Sequence, residues 1–120
     1  MKFSGSGTFE NERANTVTLN YIGFALNEIK GDIKEMRESN NPLQILLGDI
    51  QVLISLIEIC PYNISGRLKS SEVDEWQNCF NEWFERVKNK IPKEYRSDIK
   101  QDSVRLFDEL RKYAHDIDWL

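Results

Sequence analysis

The sequence predicts an all-α protein, an antiparallel bundle of three to four helices with an extended N-terminal arm. Three observations carry that prediction. Residues 42–59, PLQILLGDIQVLISLIEI, hold eleven large aliphatics in eighteen positions. Their polar members Gln44, Gly48, Gln51, Ser55 and Glu58 step by 4, 3, 4 and 3, which lines them along one helical stripe. Leu19, Ile22, Leu26, Ile29, Ile33 and Met36 step by 3, 4, 3, 4 and 3, a heptad seam. Val73, Trp76, Phe80, Trp83 and Val87, then Leu106, Leu110, Tyr113, Ile117 and Leu120, supply two further seams of helical period.

Residues 1–12 open the chain as a flexible or strand-like arm, because Phe3, Gly5, Gly7 and Phe9 alternate small and aromatic types with loose glycine joints. The bundle then occupies residues 16–120, giving a single domain over 1–120. The first helix runs from about Thr16 to Glu38 and ends at Ser39, Asn40 and Asn41. Gly31 inside it costs about 1 kcal/mol against alanine, so packing has to outweigh local propensity there.

The second helix is expected to start at Pro42. Asn41 suits an N-cap, proline suits the first helical position, and Gln44 completes a capping box. Pro61 stops it, leaving a rod of about 27 Å at 1.5 Å per residue. Its composition makes it the most enclosed member of the bundle. A hairpin closed at Gly48-Asp49 is the competing reading, and the polar stripe favours the helix.

Residues 62–70 form a loop with Ser65-Gly66 as its turn. Ser71 is the expected cap of the third helix, with Asp74 in the capping-box position and Glu72 and Glu75 at the positive end of the dipole. Lys88 and Lys90 suit its last turn, and Pro92 follows. The sequence leaves open whether residues 93–101 join the fourth helix or form a short one of their own, capped afresh at Asp102 or Ser103.

Composition excludes several classes of function. A chain of 120 residues buries roughly two thirds of its unfolded surface, so a core is feasible. A net charge of -4 and a pI near 5.1 argue against a nucleic-acid footprint, which needs a clustered basic face. Twenty acids offset by 16 bases are also too few for a polyanionic DNA mimic. Cys60 and Cys79 have no CxxC spacing and no neighbouring histidine, so buried thiols are expected rather than a zinc site or a disulfide framework. The opening MKFSGSGTFENER has no apolar run for a signal peptide, and Asp49 and Glu58 interrupt the one long apolar segment. A cytoplasmic, non-membrane protein is the expectation, and the sequon Asn63-Ile64-Ser65 reads as coincidence.

No residue set announces catalysis. Gly5-Ser6-Gly7-Thr8 lacks the longer glycine spacing and the lysine of a phosphate loop. Glu75, Glu82 and Glu85 on the third helix have no histidine partner, so neither a metal nor a cofactor is expected, and a solvated face explains them. Trp76, Phe80, Trp83 and Phe84 fall within about 100° of arc and read as a core stripe, not a ligand box. His115 is the single histidine. Arg111 to His115 resembles the Arg-x4-6-His motif of the helical HEPN ribonucleases, which implies an arginine and histidine cleaving RNA. Only three residues separate the two here, and the polar residue after the arginine is missing, so the activity is not carried over.

One pattern exceeds the needs of a core. Val17, Tyr21 and Phe24 step by 4 and 3 on the first helix, about 170° from the centre of its main seam for Phe24. Two outcomes are open for this second stripe. Phe3 or Phe9 of the arm covers it, or other helices wedge it; otherwise it is a partner groove or dimer face. Trp119, off its own seam, is a second candidate anchor.

These features point to a non-enzymatic protein-binding inhibitor or regulator. In size and character the chain is similar to phage-encoded anti-defence proteins and bacterial immunity proteins, a likeness that rests on no shared motif. Asn, Ile and Lys form about a quarter of the residues, a bias of AT-rich bacterial and phage genomes. The resemblance implies steric occlusion of a larger partner enzyme. Val17, Tyr21, Phe24 and Trp119 would be apolar anchors, with Glu75 or Glu82 steering a basic surface. The rival readings are a subunit that self-assembles through the heptad seam, and a helical ribonuclease using Arg111 and His115.

Overall fold

Apolar seams of helical period, punctuated by prolines, set the architecture of the computed structural model, which describes residues 12–64 and 66–114. Four helices follow one another: α1 (Glu12–Glu38), α2 (Leu46–Ile59), α3 (Ser70–Val87) and α4 (Lys93–Arg111). Single 3-10 turns cover Pro61–Ile64 and Lys88–Lys90, and no strand occurs among the described residues. Residues 1–11 of the arm expected over 1–12 lie outside them. Helix α1 is described from Glu12, ahead of its expected start near Thr16.

α1 packs on α2 and α3, while α4 closes the bundle against α2 and α3. The shared core is continuous. Ile22 and Ile29 of α1, Ile50, Leu53 and Ile57 of α2, Phe80 and Trp83 of α3, and Phe107 and Leu110 of α4 are all fully buried. Burial stabilises by about 1.5–3 kcal/mol per side chain of this size. Phe80 sits at the aromatic centre, its ring centroid 5.4 Å from Trp83, 6.3 Å from Phe84 and 6.1 Å from Phe107. The Trp76-to-Phe84 stripe is thus core, and Cys60 and Cys79 are buried thiols that form no disulfide.

The structure corrects several local expectations. Helix α2 starts at Leu46, not Pro42. The carbonyl of Asn41, which a helix begun there would need for its first bond, accepts the Trp83 indole N–H at 2.9 Å. Asn41 Oδ1 instead accepts from the Leu43 N–H at 3.0 Å, closing a side-chain turn. Gln44 then does the capping, its Oε1 accepting from the Leu47 N–H at 3.0 Å. Helix α3 is entered from Lys69 rather than capped by Ser71. Glu72 supplies half of a capping box by accepting from the Lys69 N–H; a lysine side chain has no acceptor to return it.

Helix α4 is continuous from Lys93, which settles the question the sequence left open. Helix α2 is not enclosed on all sides, since Val52 and Ile59 stand 53% and 46% exposed beside its polar stripe. Leu19, placed in the heptad seam, lies 39% exposed at its margin while Thr18 is buried. Gly66 turns the chain into α3 with φ 75, a left-handed conformation that glycine adopts without steric cost. None of the described helices is long and apolar enough to cross a membrane.

Candidate functional site

Helix α1 has two apolar faces, and only one is buried. Ile22, Ala25, Leu26, Ile29, Ile33 and Met36 enter the core. The other face carries Val17, Tyr21 and Phe24, exposed by 45%, 60% and 63%. Other helices therefore do not wedge this half of α1. Phe3 and Phe9, the arm residues expected as a cover, lie outside the described residues.

The same stripe continues past Phe24 at Glu28, Gly31 and Glu35, stepping by 4, 3 and 4, and all three are exposed. At 1.5 Å per residue, Val17 to Glu35 spans about 27 Å. Its first half is apolar and its second half acidic. Between this stripe and the core sits Asp32, only 7% exposed. Across the α1–α2 seam it meets Asp49, and one carboxyl oxygen of each, Oδ2, is buried without a hydrogen-bond donor from the rest of the protein.

Burial above all, then the hydrogen bond and charge of Asp49 and the charges of Glu28 and Glu35, pushes the Asp32 carboxyl up to about 8. The upward shift favours the protonated form of Asp32, in which its carboxyl can donate to Asp49. The charges of Asp49, Glu28 and Glu35 all push Asp32 in the same upward direction. About 60° round α2 from Asp49 and Leu56, at 100° per residue, stand the exposed Val52 and Ile59. Both are exposed apolar side chains on the flank of α2 that carries Asp49. A methyl group added at Gly31 or Gly48 would meet nothing within 4 Å, so the surface there is open.

The predicted steering residues lie elsewhere. Glu75 is paired with Arg37, which stands about 140° round α1 from Phe24 at 100° per residue. Glu82 is exposed and lines the same open groove on α3, together with Arg37 and Cys79. The Cys79 thiol is pushed up by burial and donates to the Ile33 carbonyl at 3.7 Å. Glu75 and Glu82 thus share a flank with each other but not with Val17, Tyr21 and Phe24.

Trp119 and His115 lie outside the described residues. Arg111 is engaged structurally: its guanidinium donates to Asp74 of α3 at 2.9 Å and 3.1 Å, to Gln77, and to Asp108 at 3.2 Å. It ties α4 to α3. Among the described residues no group of three His, Cys, Asp or Glu could hold a metal ion.

Sequence reasoning missed two features. The Asp32–Asp49 pair had a signal, since Ala25, Ile29, Asp32 and Met36 step by 4, 3 and 4, placing a carboxyl on a core register. A second apolar area, with Leu43 81%, Ile45 63% and Tyr95 54% exposed, was hidden by the expectation that α2 began at Pro42. Leu43 and Tyr95 flank a surface cavity of about 370 Å³ floored by Ile91 and Ile99.

No protein family, curated protein or solved structure matches this chain. The functional reading rests on its own residues.

Proposed function

We propose that the chain is a non-enzymatic protein-binding module that inhibits or regulates a larger partner by covering part of its surface. A phage anti-defence or immunity-type inhibitor is the setting that suits its size and composition. The single observation behind this reading is the exposure of Val17, Tyr21 and Phe24 in one line on the longest helix. Exposed aromatic and aliphatic side chains in a contiguous patch are characteristic of protein interfaces. Two large rings in water contribute nothing to folding, whereas buried against a partner they supply the anchors that dominate binding energy.

The rival readings draw less support. From Ile22 to Met36 the heptad seam of α1 is buried inside the chain, so pairing it with a second copy would require the bundle to open. Arg111, needed by the ribonuclease reading, is held by carboxylates of α3 and α4.

The test is affinity capture with the full chain beside its Tyr21→Ser/Phe24→Ser variant, with helicity followed by circular dichroism. A protein retained by the wild type and lost by the folded variant supports the reading. Loss of helicity in the variant would show that the stripe is part of the core and would sink it.

A further inference from the structure

We propose that the Val17-to-Glu35 face of α1, with the adjoining flank of α2, receives a basic amphipathic helix of the partner protein. This deepens the protein-binding reading above and rests on it. Three independent features of the face select that occupant.

The first is length and period. Six positions, Val17, Tyr21, Phe24, Glu28, Gly31 and Glu35, repeat at 4, 3, 4, 3 and 4, an average of 3.6 residues. That is the period of a straight α-helix, so the six positions hold one line along it. A straight stripe of about 27 Å matches a partner helix of about 18 residues.

The second is charge. The C-terminal half of the face presents Glu28 and Glu35, with Asp49 beneath them, and no cation among the described residues draws the Asp32 carboxyl down towards its ordinary range. The basic residues that follow Phe24 on α1, Lys30, Lys34 and Arg37, fall on other sides of the helix by about 100° or more from the centre of the stripe. Arg37 is also paired with Glu75. An unneutralised acidic run beside an apolar run is complementary to a helix whose one end is apolar and whose other end carries lysine or arginine.

The third is access. Gly31 lies in the middle of the acidic half and Gly48 on α2, each with no neighbouring atom within 4 Å of where a side chain would begin. Val52 and Ile59 supply apolar surface on the α2 side. In the docked arrangement the partner's apolar residues cover Tyr21 and Phe24, and its cations reach Glu28 and Glu35.

The experiment uses the intact chain and two fluorescent synthetic helices of about 18 residues with one leucine pattern, the other positions lysine in one and glutamate in the other. Anisotropy should show binding of the Leu/Lys helix that weakens as salt is added, with the Leu/Glu helix at least about tenfold weaker. Glu28→Lys with Glu35→Lys should lower affinity for the Leu/Lys helix by about tenfold or more, while Glu82→Lys on the α3 flank leaves it unchanged. The milder Glu28→Gln/Glu35→Gln variant serves if the lysine variant misfolds. Equal binding of both helices, both lost in Tyr21→Ser/Phe24→Ser, would overturn the basic-partner inference and leave the protein-binding reading standing. Binding of neither helix would overturn the inference. Melting of Tyr21→Ser/Phe24→Ser would overturn both.

Discussion

Asp32 of α1 and Asp49 of α2 meet carboxyl to carboxyl across the α1–α2 seam, and the Oδ2 of each is buried with no donor from the rest of the protein. Burial and the adjoining negative charges favour the protonated form of Asp32 at this seam.

That proton makes stability depend on pH with a definite sign. Asp32 rises from 3.8 to about 8 on folding, so the folded chain binds a proton that the unfolded chain releases. The pair's contribution is complete below the ordinary aspartate range, declines as pH climbs above it, and is lost as pH passes about 8. Asp32→Asn keeps the shape and offers an amide N–H to Asp49. Urea melts should show wild type losing about 4 kcal/mol of stability against the variant between pH 5 and pH 9. Parallel pH slopes for the two proteins would refute the shared proton.

Tyr21→Ser with Phe24→Ser should change unfolding free energy by no more than about 0.5 kcal/mol, because both rings are mostly in water. Denaturant melts measure this directly. A cost of several kcal/mol would place the stripe in the core.

Phe80→Ala should cost about 3–5 kcal/mol, since the ring is fully buried among Trp83, Phe84 and Phe107. Tyr95→Ala, at a side chain 54% exposed, should cost far less. Comparable midpoint shifts for the two would mean that the aromatic centre is misplaced.

Arg111→Ala should cost about 1 kcal/mol at low salt, a difference that shrinks as salt is added, because its bonds to Asp74 and Asp108 are partly exposed ion pairs. The readout is thermal unfolding at two ionic strengths. A salt-independent loss would assign the residue a packing role instead.

Gly66→Ala should cost about 1–2 kcal/mol, from forcing a side chain into the left-handed region. Free space around the position leaves backbone strain as the sole cause. A melt that matches wild type would mean the turn relaxes.

Much of this architecture was legible because helical period survives translation into a fold. On the seams of α1, α3 and α4, Ile29, Phe80, Trp83 and Leu110 enter the core as expected, while Leu19 stays at its margin and α4 ends at Arg111, before Tyr113 of its expected seam. The exposed stripe on α1 was also readable, as apolar residues at helical spacing away from the main seam. Its state was not, because spacing locates a residue on its own helix and says nothing of what stands opposite.

Contacts between segments distant in the chain decided the rest. Pro42 and Asn41 form a sound local helix start, yet the Trp83 indole, 42 residues on, takes the Asn41 carbonyl and α2 begins four residues later. Asp32 falls on the core register of its own helix, yet only the crossing of α1 on α2 brings Asp49 against it. Likewise Glu75 and Glu82 share a helix face by sequence, but the packing of α3 against α1 sets them on a different flank from Phe24. Local propensity and periodicity are properties of one segment and so belong to the sequence. Register, pairing and the charge state of a buried group depend on the neighbour that burial brings, and these belong to the tertiary structure.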